Sequence, residues 1–145
     1  MIFKLFLLSF KMAGIPTTEC LKVASLRKKY GSQINLENWI ANPNNLYVGR
    51  YGRIFITDPT TGEKRIFHYS GSKWQNPYKV GKVGKDHYSL DESLNLYREY
   101  LIQTNLVKDI GELSGKNLGC FCDQAGPCHA KILVEYYCHA LNMMR

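Results

Sequence analysis

The sequence predicts an α/β fold: a single small domain in which helices flank a mixed β-sheet that carries a β-hairpin insertion. The length of 145 residues fits one hydrophobic core. Short apolar runs typical of buried strands alternate with amphipathic helical patterns along the chain. One pair of β-rich runs forms a hairpin, and a hairpin must add antiparallel strands to the sheet.

The first part of the predicted fold has four segments. Residues 20–30 show a short apolar strand pattern that ends in basic residues, and residues 46–50 are typical of a buried strand. Between them, residues 34–41 predict one or two helical turns, followed by the turn sequence Asn-Pro-Asn-Asn at 42–45. Asn35 is a candidate cap for the short helix.

The clearest hairpin signal lies at residues 53–69. Two β-rich runs flank the sequence Asp-Pro-Thr-Thr-Gly, in which Gly62 can supply the positive φ that such a loop needs. Residues 70–88 are rich in glycine, lysine and aromatic side chains, and we expect them to be mostly loop.

The last part of the chain alternates helices with one strand. Residues 89–104 predict a helix that begins with a capping box formed by Ser89 and Glu92. The remaining segments are a short helix at 105–113, a buried strand at 116–122 and a helix at 127–144. In α/β sheets ligands bind where strand ends meet helix starts, and both Arg50 and the loop at 122–129 lie at such ends.

The α/β domain is predicted to span residues 19–145, preceded by an apolar N-terminal extension at residues 1–18. The apolar run at its start is roughly nine residues long and is interrupted by Lys4, so it is too short to span a bilayer. It also lacks a convincing small-residue cleavage site. We therefore expect a protein that is not secreted and has no transmembrane segment.

Basic residues are distributed unevenly along the chain. The formal net charge is +7 at pH 7. Residues 1–90 hold fourteen basic and five acidic side chains, whereas residues 91–145 hold five and seven. A basic surface attracts nucleic acid, anionic membrane or an acidic protein, and a plain solvated surface is the alternative interpretation.

Three of the five cysteines lie in the stretch GCFCDQAGPCHA at 119–130. Zinc prefers thiolate and imidazole ligands, so the candidate metal ligands are Cys120, Cys122, Cys128 and His129. In a second interpretation Cys128 is an activated thiol, because a helix N-terminus lowers a thiol pKa, and Cys122 or His129 assists it. These three residues are the catalytic candidates. In a third interpretation the cysteines only pack the core.

Geometry limits the zinc interpretation. On a straight strand Cys120 and Cys122 would stand roughly 6.6 Å apart, whereas two sulfurs on one zinc lie about 3.8 Å apart. Adjacent helical residues such as Cys128 and His129 would diverge by about 100°. Both difficulties ease if the strand ends at Phe121 and the helix begins only at Ala130.

The loop sequence SKWQNPYKVGK at 72–82 combines aromatic rings with lysines. Trp74 and Tyr78, together with the interleaved Lys73, Lys79 and Lys82, could stack on and clamp a base or nucleotide. In the alternative interpretation, Trp74 plugs an edge of the core and the following amide caps a turn. The candidate ligand-binding residues of the chain are Arg50, Lys73, Trp74, Asn76 and Lys79.

Several of these segments occur in the order typical of one widespread family, the domain of unknown function DUF4326. They are VASLRK (23–28), LYVGR (46–50), SKWQNPYKVG (72–81), LNLYREYL (94–101) and ELSGKNLGCFC followed by PCHAKILV (112–134). The chain resembles this family over roughly residues 22–140. It resembles especially the versions in large DNA viruses of the marseillevirus type, which carry a similar hairpin after Tyr-Val-Gly-Arg.

The resemblance implies one shared site and supplies no reaction. The residues that it brings together are Arg50, Trp74, Asn76, Cys120, Cys122, Cys128 and His129. This chain departs from the family pattern at Ser25, where the family has asparagine, and at Gln75, where it has glycine. Residues 30–44 and 51–70 expand connections that are usually short, so they are predicted insertions.

Three functional hypotheses follow. The first is a viral accessory or virion-associated protein that binds a polyanion, either nucleic acid or a nucleotide, or a host factor; the absence of a recognisable catalytic signature favours it over an enzyme. The second is a nucleotide-processing enzyme with a Cys/His site. The third is a structural virion protein in which residues 1–10 or the hairpin form a homodimer contact. By resemblance, we expect the protein in the virion and the infected host cytoplasm.

Overall fold

The computed structural model describes residues 14–82, 86–122 and 126–144. In this part of the chain no helix combines the length and apolar character that crossing a bilayer requires. The predicted N-terminal extension lies largely outside the described residues, although its last two residues belong to the first strand.

In chain order the described elements are β1 (Thr17–Cys20), α1 (Val23–Tyr30), α2 (Leu36–Ala41), β2 (Asn45–Tyr47), β3 (Gly52–Thr57), β4 (Lys64–Tyr69), α3 (Leu90–Gln103), a 3-10 helix (Leu106–Leu113), β5 (Asn117–Cys120) and α4 (His129–Met143).

The last strand lies at the centre of the parallel sheet. β1, β5 and β2 are neighbours in that order, with Cys20 opposite Cys120 and Tyr47 opposite Gly119. β3 and β4 form a separate antiparallel sheet. The α/β class, the single small domain and the hairpin are confirmed. The described strands divide between two sheets, however, because the inner face of the hairpin packs on the core and does not pair with an edge of the parallel sheet.

Helices cover both faces of the parallel sheet. Leu118 and Gly119 are neighbours on β5, so their side-chain positions face opposite sides of the sheet. On the Leu118 side, Tyr97 of α3 and Leu133 of α4 are fully buried in the main apolar cluster. On the Gly119 side, a smaller cluster is centred on Trp39 of α2. The carboxyl end of β5 is therefore held by packed side chains on both faces.

A buried carboxylate connects β1 to its surroundings. Glu19 is 5% exposed, and its Oε2 accepts hydrogen bonds from Trp39 Nε1 at 2.8 Å, Asn117 Nδ2 at 2.6 Å and Tyr30 Oη at 3.0 Å. Its Oε1 lies 3.2 Å from Lys29 Nζ. Burial alone would raise the pKa of Glu19, but the hydrogen bonds from these four donors lower it below its ordinary value. One ionised side chain thus joins β1 to α1, α2 and β5.

The strand predicted at residues 20–30 is wrong, because most of that segment forms α1. Leu26 N donates to Lys22 O at 3.0 Å, which is the i to i−4 bond of a helix. A short apolar run does not distinguish a strand from a helix by its periodicity. Here Leu26 is the buried residue of α1, and the basic residues after it face solvent. The strand of this region is β1, which ends where the predicted one begins.

The predicted strands at 46–50 and 116–122 are shorter in the structure, at Asn45–Tyr47 and Asn117–Cys120, whereas local signals located two helix starts and the hairpin loop correctly. Asn38 N donates to Asn35 Oδ1 at 2.8 Å, and Glu92 N donates to Ser89 Oγ at 3.2 Å, so both predicted caps begin their helices. Gly62 has φ +75° in the hairpin loop, as the turn chemistry requires. The short helix expected at 105–113 is a 3-10 helix.

Candidate metal and ligand site

Three cysteine sulfurs meet where β5 ends and α4 begins. Cys120 is the last residue of β5, and Cys128 precedes the first residue of α4. Their Sγ atoms lie 2.8 Å apart. With Cys122, which is half-buried in the loop after β5, the three Sγ atoms all lie within 4.8 Å of one another. We call these residues the cysteine cluster, and it could hold a metal ion.

The backbone brings these sulfurs together by leaving the strand early. β5 ends at Cys120, so Cys122 is released from the roughly 6.6 Å spacing of a straight strand. The 2.8 Å contact between Cys120 and Cys128 is shorter than the roughly 3.8 Å between two thiolates on one zinc. It is longer than the roughly 2.05 Å of a disulfide bond. The cluster is therefore compact enough for a shared metal and contains free thiols.

His129 lies beside the cysteine cluster. Its Nε2 is 2.7 Å from Val48 O, and because a carbonyl oxygen only accepts, Nε2 carries the hydrogen. Its Nδ1 lies 4.0 Å from Cys128 Sγ, outside the set of mutually close ligand atoms. The ring is buried edge-on against Tyr97. The histidine is thus fixed in orientation by the backbone directly after β2 and by α3, and it is adjacent to the sulfurs.

Contacts within the cluster shift the pKa values of its members in different directions. Hydrogen bonds from Cys120 and Cys128 lower the pKa of the Cys122 thiol. The same sulfur contacts, with burial, raise the pKa of Cys120. Burial alone would lower the pKa of His129, but its hydrogen bonds to Cys122 and Cys128 raise it to about 9. Cys122, the most exposed residue of the cluster, is therefore its most acidic thiol.

A cavity of about 370 Å³ opens beside the cysteine cluster. It lies at the carboxyl ends of β2 and β5, where ligands bind in open α/β sheets. Its described lining contains two basic side chains, Arg50 and His129, and no aspartate or glutamate. The lining residues are Tyr47, Gly49, Arg50, Tyr51, Tyr69, Asn76, Tyr78, Val80, Leu90, Leu94, Cys120, Phe121, Cys122, Cys128 and His129.

The sequence profile of the domain of unknown function DUF4326 matches residues 33–140, which include every described residue that lines the cavity. The chain belongs to the DUF4326 family. It is also 35% identical over 74 residues to uncharacterized protein R718 of Acanthamoeba polyphaga mimivirus, a match that covers 51% of this chain and 52% of that protein. The chain thus spans about half the length of this curated relative. No solved structure matches it.

The family assignment confirms the resemblance drawn from the motifs. A relative in mimivirus agrees with the expected link to large DNA viruses. The narrower resemblance to marseillevirus-type proteins stays a prediction. The family is described as a domain of unknown function, so the site residues of this DUF4326 chain are the basis for inferring its function.

Tyr47, Tyr51 and Tyr69 line the cavity and were not selected by sequence reasoning, whereas Tyr78, which was selected as a stacking residue, also lies in the lining. Tyr47 Oη donates to Arg50 O at 2.6 Å, and the Tyr47 ring packs edge-on against Tyr69 and near Phe121. Burial raises the pKa of Tyr47 far above its ordinary value, so the hydroxyl stays neutral. Tyr69 belongs to the hairpin, which approaches the site only through tertiary packing. The composition of ten tyrosines was the only available signal.

The structure places the Trp/Lys loop of this DUF4326 chain mainly against the core. Trp74 is 2% exposed, and its backbone oxygen accepts a 2.6 Å hydrogen bond from Tyr97 Oη. Lys73 Nζ lies 2.7 Å from a Glu112 oxygen and 3.2 Å from Asp109 Oδ2. Neither Trp74 nor Lys73 lines the cavity. Their contacts attach the loop to α3 and to the 3-10 helix.

Two other predicted ligand residues, Asn76 and Lys79, lie at different places relative to the cavity. Asn76 lines the cavity, but its amide shapes the loop: Nδ2 donates to Ser93 Oγ at 2.9 Å and Oδ1 accepts from Tyr78 N at 2.9 Å. Lys79 is exposed and is not part of the lining. The structure therefore brings Arg50 and Asn76 together with the cysteine cluster and His129, and leaves Lys79 beyond this group.

Proposed function

We propose that the protein binds a nucleotide, or another small phosphate-bearing molecule, in the cavity at the carboxyl ends of β2 and β5. The observation that supports this function most directly is the position of Arg50. Its exposed guanidinium lies at a cavity whose described lining has no carboxylate to neutralise it. A guanidinium offers a planar fork of donors that matches two phosphate oxygens.

The surroundings of Arg50 suit such a ligand. Nη1 of Arg50 donates to Asn76 O at 3.3 Å, which orients the group without a competing charge. The start of α4 faces the same cavity through Cys128 and His129, and the N-terminus of a helix attracts anions. The cavity volume of about 370 Å³ falls within the range of about 300–1,000 Å³ typical of small-molecule sites.

Aromatic rings provide the rest of the pocket. Tyr51, Tyr69 and Tyr78 all line it and present ring surfaces on which a flat base can pack. Tyr51 is 64% exposed and stacks near His68 at the rim. A ligand with a phosphate at one end and a flat apolar ring at the other matches this distribution of charge and rings.

The first prediction concerns Arg50→Ala. We expect the affinity for a nucleotide to fall at least tenfold, because a hydrogen bond to a charged group contributes about 1.5–3 kcal/mol and each 1.4 kcal/mol is about tenfold in the dissociation constant. Isothermal titration calorimetry with inorganic phosphate, AMP and ATP measures the effect. Arg53→Ala is the matched control, since Arg53 is an exposed arginine of the hairpin that does not line the cavity.

The outcomes are distinct. Equal affinity in Arg50→Ala and Arg53→Ala would remove the cavity as the phosphate site. Failure of the wild-type protein to bind any of the three probes would contradict the proposed function. Binding of single-stranded DNA without binding of mononucleotides, with a steep loss of affinity in salt, would instead assign the basic charge of the protein to a nucleic-acid surface.

A further inference from the structure

We propose that Cys120, Cys122 and Cys128 bind one Zn²⁺ ion whose fourth coordination position opens into the cavity. The fourth ligand of the ion is then an exogenous group, either water or an atom of the bound molecule. This inference rests on the proposed function only for the identity of that molecule. The metal site itself stands on the geometry of the three sulfurs.

The ligand type and spacing both favour zinc. Three thiolates in one cluster are a soft donor set of the kind that selects zinc among the common divalent ions. The Sγ atoms already lie within 4.8 Å of one another. Shared coordination of one zinc would need Cys120 Sγ and Cys128 Sγ to separate from 2.8 Å to about 3.8 Å. The metal would relieve the crowding of these two sulfurs.

The open position follows from the contacts of His129. Its Nε2 is committed to Val48 O, and its Nδ1 lies outside the group of mutually close ligand atoms. Among the described residues, no fourth protein ligand joins the three cysteines. Zinc sites with three protein ligands keep one position for water or substrate, whereas structural sites are closed by four.

The cavity lining indicates which way the open coordination position faces. All three cysteines line the cavity that also contains Arg50. A phosphate held by Arg50 would therefore lie in the same enclosed space as the metal. The arrangement assigns two anchors to one ligand: the guanidinium for its phosphate and the zinc for a second donor atom, such as a ring nitrogen or another oxygen.

Cobalt substitution tests the coordination directly. Protein purified without chelator is expected to contain one zinc per chain by elemental mass spectrometry. After exchange for Co²⁺, sulfur-to-cobalt charge-transfer bands and four-coordinate d–d bands should appear. Cyanide, a small exogenous ligand, should shift the d–d bands. A spectrum that cyanide leaves unchanged indicates a closed site, and absence of stoichiometric metal binding removes the site; either result overturns the proposal.

Matched cysteine variants connect the signal to the cluster. Cys122→Ser replaces the half-buried ligand, and we expect at least a ~100-fold loss of metal affinity, since even residues that only support a ligand contribute 10–100-fold. Cys138→Ser, a half-buried position of α4 outside the cluster, should bind metal as the wild type does. Equal affinity in both variants overturns the assignment. Circular dichroism checks that each variant is folded.

Two further results separate this inference from its rivals. Metal-free protein that forms a Cys120–Cys128 disulfide on mild oxidation would make the pair a redox couple in place of a metal site. If cyanide shifts the cobalt spectrum but AMP does not bind, the metal site stands and the proposed nucleotide function fails. If AMP binds in an Arg50-dependent way to protein that cannot bind metal, the proposed nucleotide function stands and the metal site fails.

Discussion

Replacing Glu19 with alanine is expected to lower the free energy of unfolding by about 3 kcal/mol, which is large for one side chain. The substitution removes the acceptor of three hydrogen bonds from Trp39, Asn117 and Tyr30. The indole N–H of Trp39 is then buried without a partner, because Trp39 is 1% exposed. Leaving such a donor unsatisfied costs about 1–3 kcal/mol, and the charge-assisted bonds themselves are lost as well.

Urea denaturation followed by circular dichroism measures this effect. Glu19→Gln keeps an acceptor oxygen and the side-chain volume, so it should cost roughly half as much as Glu19→Ala. Glu99→Ala, at an exposed position of α3, is the control and should stay within about 0.5 kcal/mol of the wild type. An effect of Glu19→Ala no larger than that of Glu99→Ala would show that the buried network contributes little to stability.

The pH dependence has a defined sign. The pKa of Glu19 is lowered in the folded state, so its contribution is present at neutral pH, above the unfolded value of about 4.3. It is lost as the pH falls through the lower folded pKa. The stability difference between wild type and Glu19→Gln should therefore shrink below about pH 4.3. A difference that stays constant from pH 7 to pH 3 would contradict the ionised state of this carboxylate.

Gly119→Ala is expected to destabilise the protein by at least about 2 kcal/mol. A Cβ at this central position of β5 would lie 2.7 Å from Leu21 Cδ1 and 2.8 Å from Trp39 Cζ2. Both neighbours are buried, and the indole of Trp39 is held by its hydrogen bond to Glu19. The ring cannot move aside without breaking that bond, so the new methyl group must displace β5.

Gly62→Ala is the matched control for this substitution. Gly62 has φ +75° and nothing within 4 Å of an added Cβ, so its cost is limited to backbone strain of about 1 kcal/mol. If Gly119→Ala prevents folding, the double variant with Trp39→Phe should recover part of the stability, because the smaller ring leaves room for the methyl group. A cost of Gly119→Ala equal to that of Gly62→Ala, without coupling to Trp39, would contradict the close packing.

The elements that the sequence predicted correctly are those with local chemical signals. The caps at Asn35 and Ser89 and the glycine of the hairpin loop act within a few residues of themselves. Segment 20–30 lacks such a signal. Its short apolar run is compatible with a strand or a helix, and the packing of Leu26 against α2 stabilises the helix.

The site was predicted only in part for a related reason. Strand ends and helix starts can be located from sequence, so Arg50 and the cysteines were found. The role of Trp74 depends on Tyr97, and that of Lys73 depends on Asp109 and Glu112, partners that lie more than twenty residues away. Tyr69 reaches the cavity only because the hairpin packs on the smaller apolar cluster. Such long-range contacts leave no periodic pattern in the sequence.

The central place of β5 sets the order in which this protein can fold during its synthesis. Its register joins Thr17 with Asn117, so the ribosome makes β1 and β2 long before the strand that separates them. The hairpin can pair as soon as it emerges, whereas the parallel sheet must wait for residues 117–120. Until then Trp39 lacks its contact with Gly119, and β1 and β2 lack the strand that lies between them, so the incomplete chain exposes unpaired strand edges that favour aggregation.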